Sequence, residues 1–333
     1  MAPGQSAVVY AGTRVLGQAT IASASRAPVS ENVWVILDFP LARAVLDAST
    51  PERARVGLID ELLAEPGTRL LLMDGDGRIA VGQNGLEIRT PEVWHPNGRF
   101  VVFLGRPLPG IGLEGEAYLL VIGEPLPGLE YRGGREVSLR LAEPQRGLAV
   151  AASAIANWHR LYPRCGTCGG ETEVVHSGWV RHCPVCAIDH YPRTDPAVIM
   201  AIHDADDRVL LAHSSLFPPK RYSLLAGYVE PGESLEQAVV RETLEEVGVH
   251  ITRVEYRGSQ AWPFPRSLML TFDAWVEGRP EVIPDGDEIT DARFYSREDL
   301  ARAIASGDVQ LPMEGAAART MLEAWNGGPF LDE

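Results

Sequence analysis

The segment from Gly227 to Gly248, GYVEPGESLEQAVVRETLEEVG, restricts what this chain can fold into more than any other part of it. It holds six glutamates and one arginine, a net charge of −5 in 22 residues. Ser234 followed by Gln237 is a capping-box pattern, which starts a helix, and a glycine such as Gly248 commonly ends one. The pattern therefore predicts a single helix over Leu235–Val247.

Three glutamates of the predicted helix crowd one part of its surface. At about 100° per residue, Glu242, Glu245 and Glu246 lie within an arc of roughly 100°, away from the face predicted to contact a core. Three apolar residues make up that predicted core face: Val240, Leu244 and Val247. Bare carboxylates this close repel one another, and Mg²⁺ or Mn²⁺ would remove the repulsion by taking their oxygens as ligands. An acidic helix face exposed to water is the alternative, because glutamate favours helices in any surroundings.

The four cysteines of the chain fall in one short window with the spacing C-x2-C-x14-C-x2-C. They are Cys165, Cys168, Cys183 and Cys186. Two such pairs supply the four thiolates of a tetrahedral zinc site with no open position for water, so we expect one structural zinc ion per chain. Two disulfides are the alternative. The N-terminus has no basic stretch leading into an apolar one, which argues against secretion and disulfides and predicts a cytoplasmic protein.

The full spacing of the glutamate segment resembles the Nudix box, G-x5-E-x7-R-E-U-x-E-E-x-G-U, in which U is a bulky aliphatic residue. The matching positions are Gly227, Glu233, Arg241, Glu242, Glu245, Glu246, Gly248 and Val249. Thr243 stands where an aliphatic residue is usual, which leaves the local packing open. The resemblance implies an α+β fold, the Nudix α/β/α sandwich with a mixed sheet. It also implies hydrolysis of a nucleoside diphosphate linked to another group.

A second motif, Ser259–Ser267 with the sequence SQAWPFPRS, resembles the SQPWPFPxS motif of the zinc-ribbon NADH pyrophosphatases, a family that includes NAD-capped RNA hydrolases. Ala261 replaces the usual proline. The four cysteines, the YPRTDP segment from Tyr191 and the LAGYVE segment from Leu225 also resemble that family. The resemblance implies a substrate site lined by Tyr191, Tyr228, Gln260, Ala261, Trp262, Pro263, Phe264, Pro265, Arg266, Ser267 and Ala318. Within it, Tyr228 would stack on the nicotinamide or another base.

The family resemblance also implies a catalytic metal site for two or three Mg²⁺ or Mn²⁺ ions. The implied ligands are the carbonyl of Ala226 and the carboxylates of Glu242, Glu245, Glu246 and Glu288. Among the catalytic glutamates of the helix, we assign the general base to Glu246.

The chain is predicted to divide into an N-terminal degenerate Nudix-like α/β domain over residues 1–144, a linker helix with the zinc ribbon over 145–192, and a catalytic Nudix domain over 193–333. No internal repeat is apparent. Within the first domain, apolar runs predict strands, including one at Val33–Leu37. Helices are predicted at Leu41–Leu46 and Pro51–Leu63.

The predicted reaction is hydrolysis of the pyrophosphate of NADH or NAD⁺ to nicotinamide mononucleotide and AMP. The 5′ end of NAD-capped RNA presents the same bond. With 30 basic and 45 acidic residues the net charge is −15, so we expect contacts with only the first nucleotides of an RNA. We expect no membrane span, and the resemblance implies a homodimer. Hydrolysis of another dinucleotide such as ADP-ribose, or a non-catalytic nucleotide sensor, are the alternatives.

Overall fold

The structure, a computed structural model, describes residues 6–11, 14–20, 37–92 and 96–330. Contacts divide the chain into two units, residues 1–35 and residues 36–333. Residues 33–36 of the predicted strand at Val33–Leu37 lie outside the described part. Within that part, no helix is long and apolar enough to cross a membrane.

The helices are α1 (Thr50–Arg53), α2 (Leu58–Leu63), α3 (Gly134–Arg140), α4 (Gln145–Leu161), α5 (Leu235–Val247), α6 (Arg297–Ala305) and α7 (Ala317–Asn326). The strands are β1 (Ser6–Ala11), β2 (Arg14–Thr20), β3 (Leu46–Asp47), β4 (Thr68–Asp74), β5 (Arg78–Gly82), β6 (Gly85–Leu86), β7 (Ile88–Arg89), β8 (Phe100–Pro107), β9 (Ala117–Gly123), β10 (Glu130–Gly133), β11 (Glu173–Val175), β12 (Val180–Cys183), β13 (Ile188–His190), β14 (Asp195–His203), β15 (Val209–Ser214), β16 (Leu225–Tyr228), β17 (Ile251–Trp262), β18 (Ser267–Val276) and β19 (Ile289–Tyr295). Strands β1 and β2 form an antiparallel hairpin in the first unit.

The second unit contains two mixed sheets with the same strand order. The first half, which contains β3 to β10, runs β10-β5-β4-β9-β8, with β3 added at the edge beside β8. The second half, which contains β14 to β19, runs β19-β15-β14-β18-β17. In each sheet one central pair is parallel, β4 with β9 and β14 with β18. A further short strand pairs with the central strand, β7 with β4 and β16 with β14. Two helices follow the last strand of each half, so the halves share one topology, as expected for a Nudix-like first domain.

One turn is repeated in both halves. Asp74 Oδ1 accepts hydrogen bonds from the backbone amides two and four residues later, at 3.0 and 2.8 Å. Asp204 Oδ1 does the same, at 3.0 Å for each amide. In both turns the Nε of the arginine four residues later, Arg78 or Arg208, donates to the other carboxylate oxygen at 2.7 Å. The shared pattern D-x-D-x-R is a sequence signal of the duplication, although it is too short to stand out as a repeat.

The halves differ in the segment that carries the glutamates. In the second half, α5 lies between β16 and β17. In the first half, residues 90–99 connect the corresponding strands β7 and β8, and their described positions contain no helix. The acidic helix is therefore a feature of the second half.

Two helices predicted in the first half do not form as predicted. Residues 41–46 form a short 3-10 turn followed by extended chain, because Leu46 and Asp47 pair with β8 at the sheet edge. The helix predicted at Pro51–Leu63 is two short helices, α1 and α2, separated at Gly57, whose φ of +80° does not fit a helix. The helix predicted at Leu235–Val247 is confirmed with those bounds.

The two halves meet at the hairpin of β17 and β18. Leu41, Leu139 and Val150 of the first half form a small apolar cluster with Trp262 and Phe264 of the hairpin. Asn157 of α4 also donates a hydrogen bond from Nδ2 to the carbonyl of Pro263 at 2.7 Å. The first half therefore holds the SQAWPFPRS turn in place. The three strands β11, β12 and β13 form a separate small sheet between the halves in sequence, and the predicted boundaries at 144 and 192 stay predictions.

Candidate active site

Helix α5 begins and ends as its sequence predicts. The amide of Gln237 donates to the Ser234 hydroxyl at 3.2 Å, and the Gln237 side chain accepts from the Ser234 amide at 3.0 Å. Gly248 ends the helix in the left-handed conformation with φ 69°. The capping box and the glycine stop are therefore both confirmed, and they fix the two ends of α5.

The predicted core face of α5 is wrong for two of its three residues. Val240 and Leu244 are 39% and 43% exposed. The buried residues are Ala238, Val239, Thr243, Glu246 and Val247. Thr243 tolerates burial because its hydroxyl donates to the Val239 carbonyl at 2.8 Å. The buried face thus includes one carboxylate, and the acidic arc flanks the core face instead of lying opposite it.

Arg241 holds the acidic segment together. Its Nε and Nη2 donate to the two oxygens of Glu233 at 2.8 and 2.9 Å, a bidentate contact. Its Nη2 also donates to the carbonyl of Tyr228 at 3.0 Å, and its Nη1 lies 2.9 Å from Glu242 and 3.0 Å from Glu245. The hydrogen bonds from Arg241 lower the pKa of Glu233. One guanidinium therefore ties the loop before α5, strand β16 and two of the implied metal ligands.

Gly227 lets the carboxylate of Glu242 lie directly against strand β16. A Cβ at position 227 would overlap the carboxyl group of Glu242. This close approach gives a physical reason for a glycine at this position. It also places the Glu242 carboxylate beside Ala226, whose carbonyl is an implied metal ligand.

We predict that Gly227→Ala lowers kcat by about 10- to 100-fold, because a displaced Glu242 misaligns the reacting groups. The measurement is NADH turnover at saturating Mn²⁺, with the unfolding temperature recorded in parallel. Gly75→Ala is the matched control, since a Cβ there meets nothing within 4 Å. Equal turnover by Gly227→Ala and the control would contradict this role of the glycine.

Glu246 is the buried member of the acidic group. It is 5% exposed, and its Oε2 has no hydrogen-bond partner. Burial raises the pKa of Glu246 to about 8, and the neighbouring charges of Glu242, Glu288 and Asp285 act in the same direction. Burial also raises the pKa of Glu242. The side chains are therefore arranged so that they repel one another in the absence of a cation.

Glu288 reaches this group through the loop before β19. The loop is attached to the end of α5, because the amides of Ile283 and Asp285 donate to the carbonyls of Val247 and Glu246 at 2.9 and 3.0 Å. Asp285 in turn accepts from the amides of Asp287 and Ile289, at 3.0 and 2.8 Å. Sequence reasoning missed Asp285. Its signal is the D-x-D-E run at 285–288, which ends at the predicted ligand.

These side chains fit a divalent metal site. They offer hard carboxylate oxygens, and Glu246 Oε2 is buried and unpartnered. Burial is the larger cause of the raised pKa values of Glu246 and Glu242, and the neighbouring carboxylates raise them further. Glu245 is the exposed member and is paired with Arg241. The structure thus brings Glu242, Glu245, Glu246 and Glu288 to one region, and their roles as metal ligands stay predictions.

Without added divalent cations, the stability of the protein is expected to fall as pH rises from about 4.5 to about 8. In that window Glu246 is protonated in the folded chain and ionised in the unfolded chain, so the folded state binds more protons. Glu246→Gln should remove this loss and raise the free energy of unfolding near pH 8 by up to about 4 kcal/mol. The gain should disappear near pH 5.

Urea unfolding of the two proteins at several pH values measures this effect. The exposed Glu236 of the same helix supplies the control variant Glu236→Gln, which should follow the wild type at each pH. A Glu246→Gln variant whose stability runs parallel to the wild type from pH 5 to 8 would show that the buried carboxyl does not titrate as described.

The SQAWPFPRS motif forms the turn between β17 and β18. Trp262 and Phe264 contact edge to face, with ring centroids 5.4 Å apart. Arg266 ties the turn to β14, because its Nε donates to Asp195 at 2.5 Å. Tyr228 is 55% exposed, and its hydroxyl lies 3.0 Å from that of Ser267. Tyr228 therefore presents an accessible ring for stacking beside this turn.

Other predicted substrate residues are differently placed. Gln260 is fully buried: its Oε1 accepts from the amide of Leu41 at 3.1 Å, and its Nε2 donates to the carbonyl of Gly315 at 3.1 Å. Ala318 is buried in the core under α7. Tyr191 is exposed beyond β13. Gln260 thus connects three segments, and the substrate contacts of these residues, and of Ala261, Pro263 and Pro265 in the turn, stay predictions.

The four cysteines converge at the edge of the small sheet. Their Sγ atoms all lie within 4.8 Å of one another, and Cys168 Sγ is 3.6 Å from Cys183 Sγ. That distance is close to the roughly 3.8 Å edge of a tetrahedron with Zn–S bonds of about 2.3 Å. Backbone amides of Cys168 and Thr167 lower the pKa of Cys165 to about 5, and contact with Cys168 raises the pKa of Cys186 to about 12. The thiols fit zinc, which would let all four ionise.

The sheet of the ribbon is fastened to the first half. His159 of α4 lies 2.7 Å from the Gly178 carbonyl through Nε2, and burial lowers the pKa of His159 to about 4, so its ring is neutral. Trp179 donates from Nε1 to the Phe103 carbonyl at 2.6 Å. The ribbon is therefore part of the packing of the first half as well as a metal-binding segment.

Three models of known protein families match parts of this chain. A NUDIX domain model matches residues 193–313, and an NADH pyrophosphatase zinc ribbon domain model matches residues 160–191. A model of an aminomethyltransferase beta-barrel domain matches residues 1–21. The crystal structure of a NUDIX hydrolase from Nitrosomonas europaea aligns with 50% of this chain and 94% of that chain, at 26% identity and a TM-score of 0.38.

Among curated relatives, the NAD-capped RNA hydrolase NudC of Mycobacterium bovis is 34% identical over 291 residues, 84% of this chain and 92% of that protein. The NAD-capped RNA hydrolase NudC of Pseudomonas aeruginosa is 44% identical over 175 residues, 52% of this chain and 59% of that protein. With its glutamate helix and zinc ribbon, the chain is a Nudix hydrolase. Within that class it belongs to the NudC family.

Proposed function

We propose that this chain hydrolyses the pyrophosphate of NADH and NAD⁺ to nicotinamide mononucleotide and AMP, and the same bond in the 5′-NAD cap of RNA. The observation that carries the proposal is the buried, unpartnered carboxylate of Glu246 beside Glu242 and Glu288. Membership of the NudC family, over 92% of the length of a relative, supports the choice of substrate.

The proposed catalytic ligands are Ala226, through its carbonyl, and Glu242, Glu245, Glu246 and Glu288. Bound there, two or three Mg²⁺ or Mn²⁺ ions would neutralise the phosphate oxygens and acidify the attacking water. Arg241 holds these carboxylates in place, because its guanidinium contacts Glu233, Glu242 and Glu245.

Glu246 is the proposed general base. Its Oε2 is free of protein partners, and a base with a pKa near the working pH accepts a proton efficiently. Its pKa near 8 before cations bind would fall once they do, because positive charge favours the carboxylate. The exposed ring of Tyr228 supplies the stacking surface for a base of the substrate.

The acidic net charge of −15 limits how RNA is held. A long phosphate backbone would be repelled by most of this surface, so contacts with capped RNA are proposed for the first nucleotides only. A homodimer, a cytoplasmic setting and the three domain boundaries stay predictions.

The test is product analysis with NADH, NAD⁺, ADP-ribose and NAD-capped RNA in ¹⁸O water with Mn²⁺ or Mg²⁺. AMP and nicotinamide mononucleotide from NADH, with ¹⁸O in one of them, would support the proposal and identify the phosphorus attacked. Turnover of ADP-ribose alone would replace it with another dinucleotide hydrolase. No turnover of any substrate, together with nucleotide binding, would point to a sensor.

A further inference from the structure

The ring of His190, at the end of strand β13, contacts a cysteine of the ribbon. Its Nε2 lies 3.3 Å from the Sγ of Cys165. A sulfur that binds zinc does so as a thiolate, without a proton to donate. In the metal-bound ribbon the hydrogen of this contact therefore belongs to His190 Nε2, which donates to Cys165. The two residues are 25 positions apart, so the contact joins separate segments of the ribbon.

Cys165 needs donors from the protein because it is buried. It is 3% exposed, so water has little access to its sulfur, and a charge removed from water needs hydrogen bonds in its place. The backbone amide of Thr167 supplies one of them, at 3.4 Å from Cys165 Sγ. His190 supplies a second. Cys168 differs from Cys165 in this respect, since Cys168 is exposed to solvent.

The pairing of β12 with β13 places His190 on the face of the small sheet that carries a zinc ligand. Cys183 pairs with Ile188, and His190 follows Ile188 by two residues, so the three side chains share one face. His182 and Asp189 pair on the opposite face, where His182 Nδ1 lies 2.7 Å from Asp189 Oδ1. The sheet thus has one histidine on each face, and the one on the face of Cys183 contacts a cysteine sulfur.

We propose that His190 is a positioning residue of the zinc site, whose Nε2–H donates to the Cys165 thiolate and helps the ribbon to retain the metal. Four thiolates around one Zn²⁺ leave the site negatively charged, in a chain whose net charge is already −15. A hydrogen bond from outside the ligand set withdraws part of that charge and fixes the orientation of the ligand. The proposal rests on the zinc site predicted from the four cysteines, and it is independent of the reaction proposed above.

The test measures the zinc affinity of the full-length protein by competition with a chelator of known affinity. In His190→Phe, which keeps an aromatic ring without an N–H, zinc is expected to bind about 10- to 100-fold more weakly. His190→Gln, whose amide offers a replacement N–H donor, should regain most of that loss. His182→Phe is the matched control, because it removes the histidine of the opposite face, and it should bind zinc like the wild type.

Co²⁺ bound in place of zinc separates loss of the hydrogen bond from looser packing. A hydrogen bond stabilises the sulfur lone pairs, so the sulfur-to-cobalt charge-transfer band of His190→Phe should move to longer wavelength, while that of His190→Gln stays near the wild-type position. Wild-type zinc affinity in His190→Phe would overturn the proposal, and so would an unshifted band. Zinc loss as complete as in Cys183→Ser would make His190 a ligand and would overturn its role as a donor to Cys165. A wild-type protein that binds no zinc would overturn the zinc site and this proposal together.

Discussion

Glu246→Gln is expected to lower kcat for NADH by about 100- to 10,000-fold, the range for loss of a general base. Glutamine keeps the size of the side chain but cannot accept the proton of the attacking water. The fold should remain intact, because Glu246 is buried without a partner for Oε2, and a neutral amide avoids the desolvation of a charge. The measurement is AMP release at saturating NADH and Mn²⁺, with the unfolding temperature as the check on folding.

A weakened metal site could lower the rate in the same way, so Mn²⁺ is titrated in both proteins. Loss of the base predicts a low kcat that high Mn²⁺ does not restore, whereas loss of a ligand predicts recovery. Glu236→Gln, an exposed change on the same helix, should retain full activity. Near-normal turnover by Glu246→Gln would remove Glu246 from the catalytic role.

Cys183→Ser should abolish stoichiometric zinc binding and unfold the ribbon. Cys183 is fully buried with its Sγ 3.6 Å from that of Cys168. In small zinc modules the metal contributes about 10–16 kcal/mol of apparent binding energy, which is also folding energy. Because Trp179 fastens the ribbon to the sheet of the first half, we expect the loss to destabilise that half as well.

Zinc content per chain, the unfolding temperature and limited proteolysis of residues 163–190 measure this outcome. The control is Glu171→Gln, which changes an exposed acid in the same ribbon. One zinc ion per chain in Cys183→Ser, with an unchanged unfolding temperature, would contradict a site that depends on all four cysteines.

Much of the local structure could be predicted from residue spacing. The bounds of α5 and its capping box follow from Ser234, Gln237 and Gly248, because helix ends depend on groups within one turn. The convergence of the cysteines also follows from spacing, since each C-x2-C pair is a local loop. The conformation of residues 41–46 could not be predicted from local sequence. Leu46 and Asp47 pair with β8, and that pairing depends on residues about 60 positions away.

The sequence by itself determined the chemistry available to this protein: a run of carboxylates with one arginine, four thiols and a rigid aromatic turn. Only the tertiary structure decided which of those groups are buried, paired or free. Val240 and Leu244 are apolar yet exposed, while Glu246 is acidic yet buried, because burial depends on which face of α5 meets the sheet. Asp285 and the buried amide of Gln260 became visible for the same reason. Their surroundings come from segments far apart in the chain, and the pKa and the hydrogen-bond partners of a side chain depend on those surroundings.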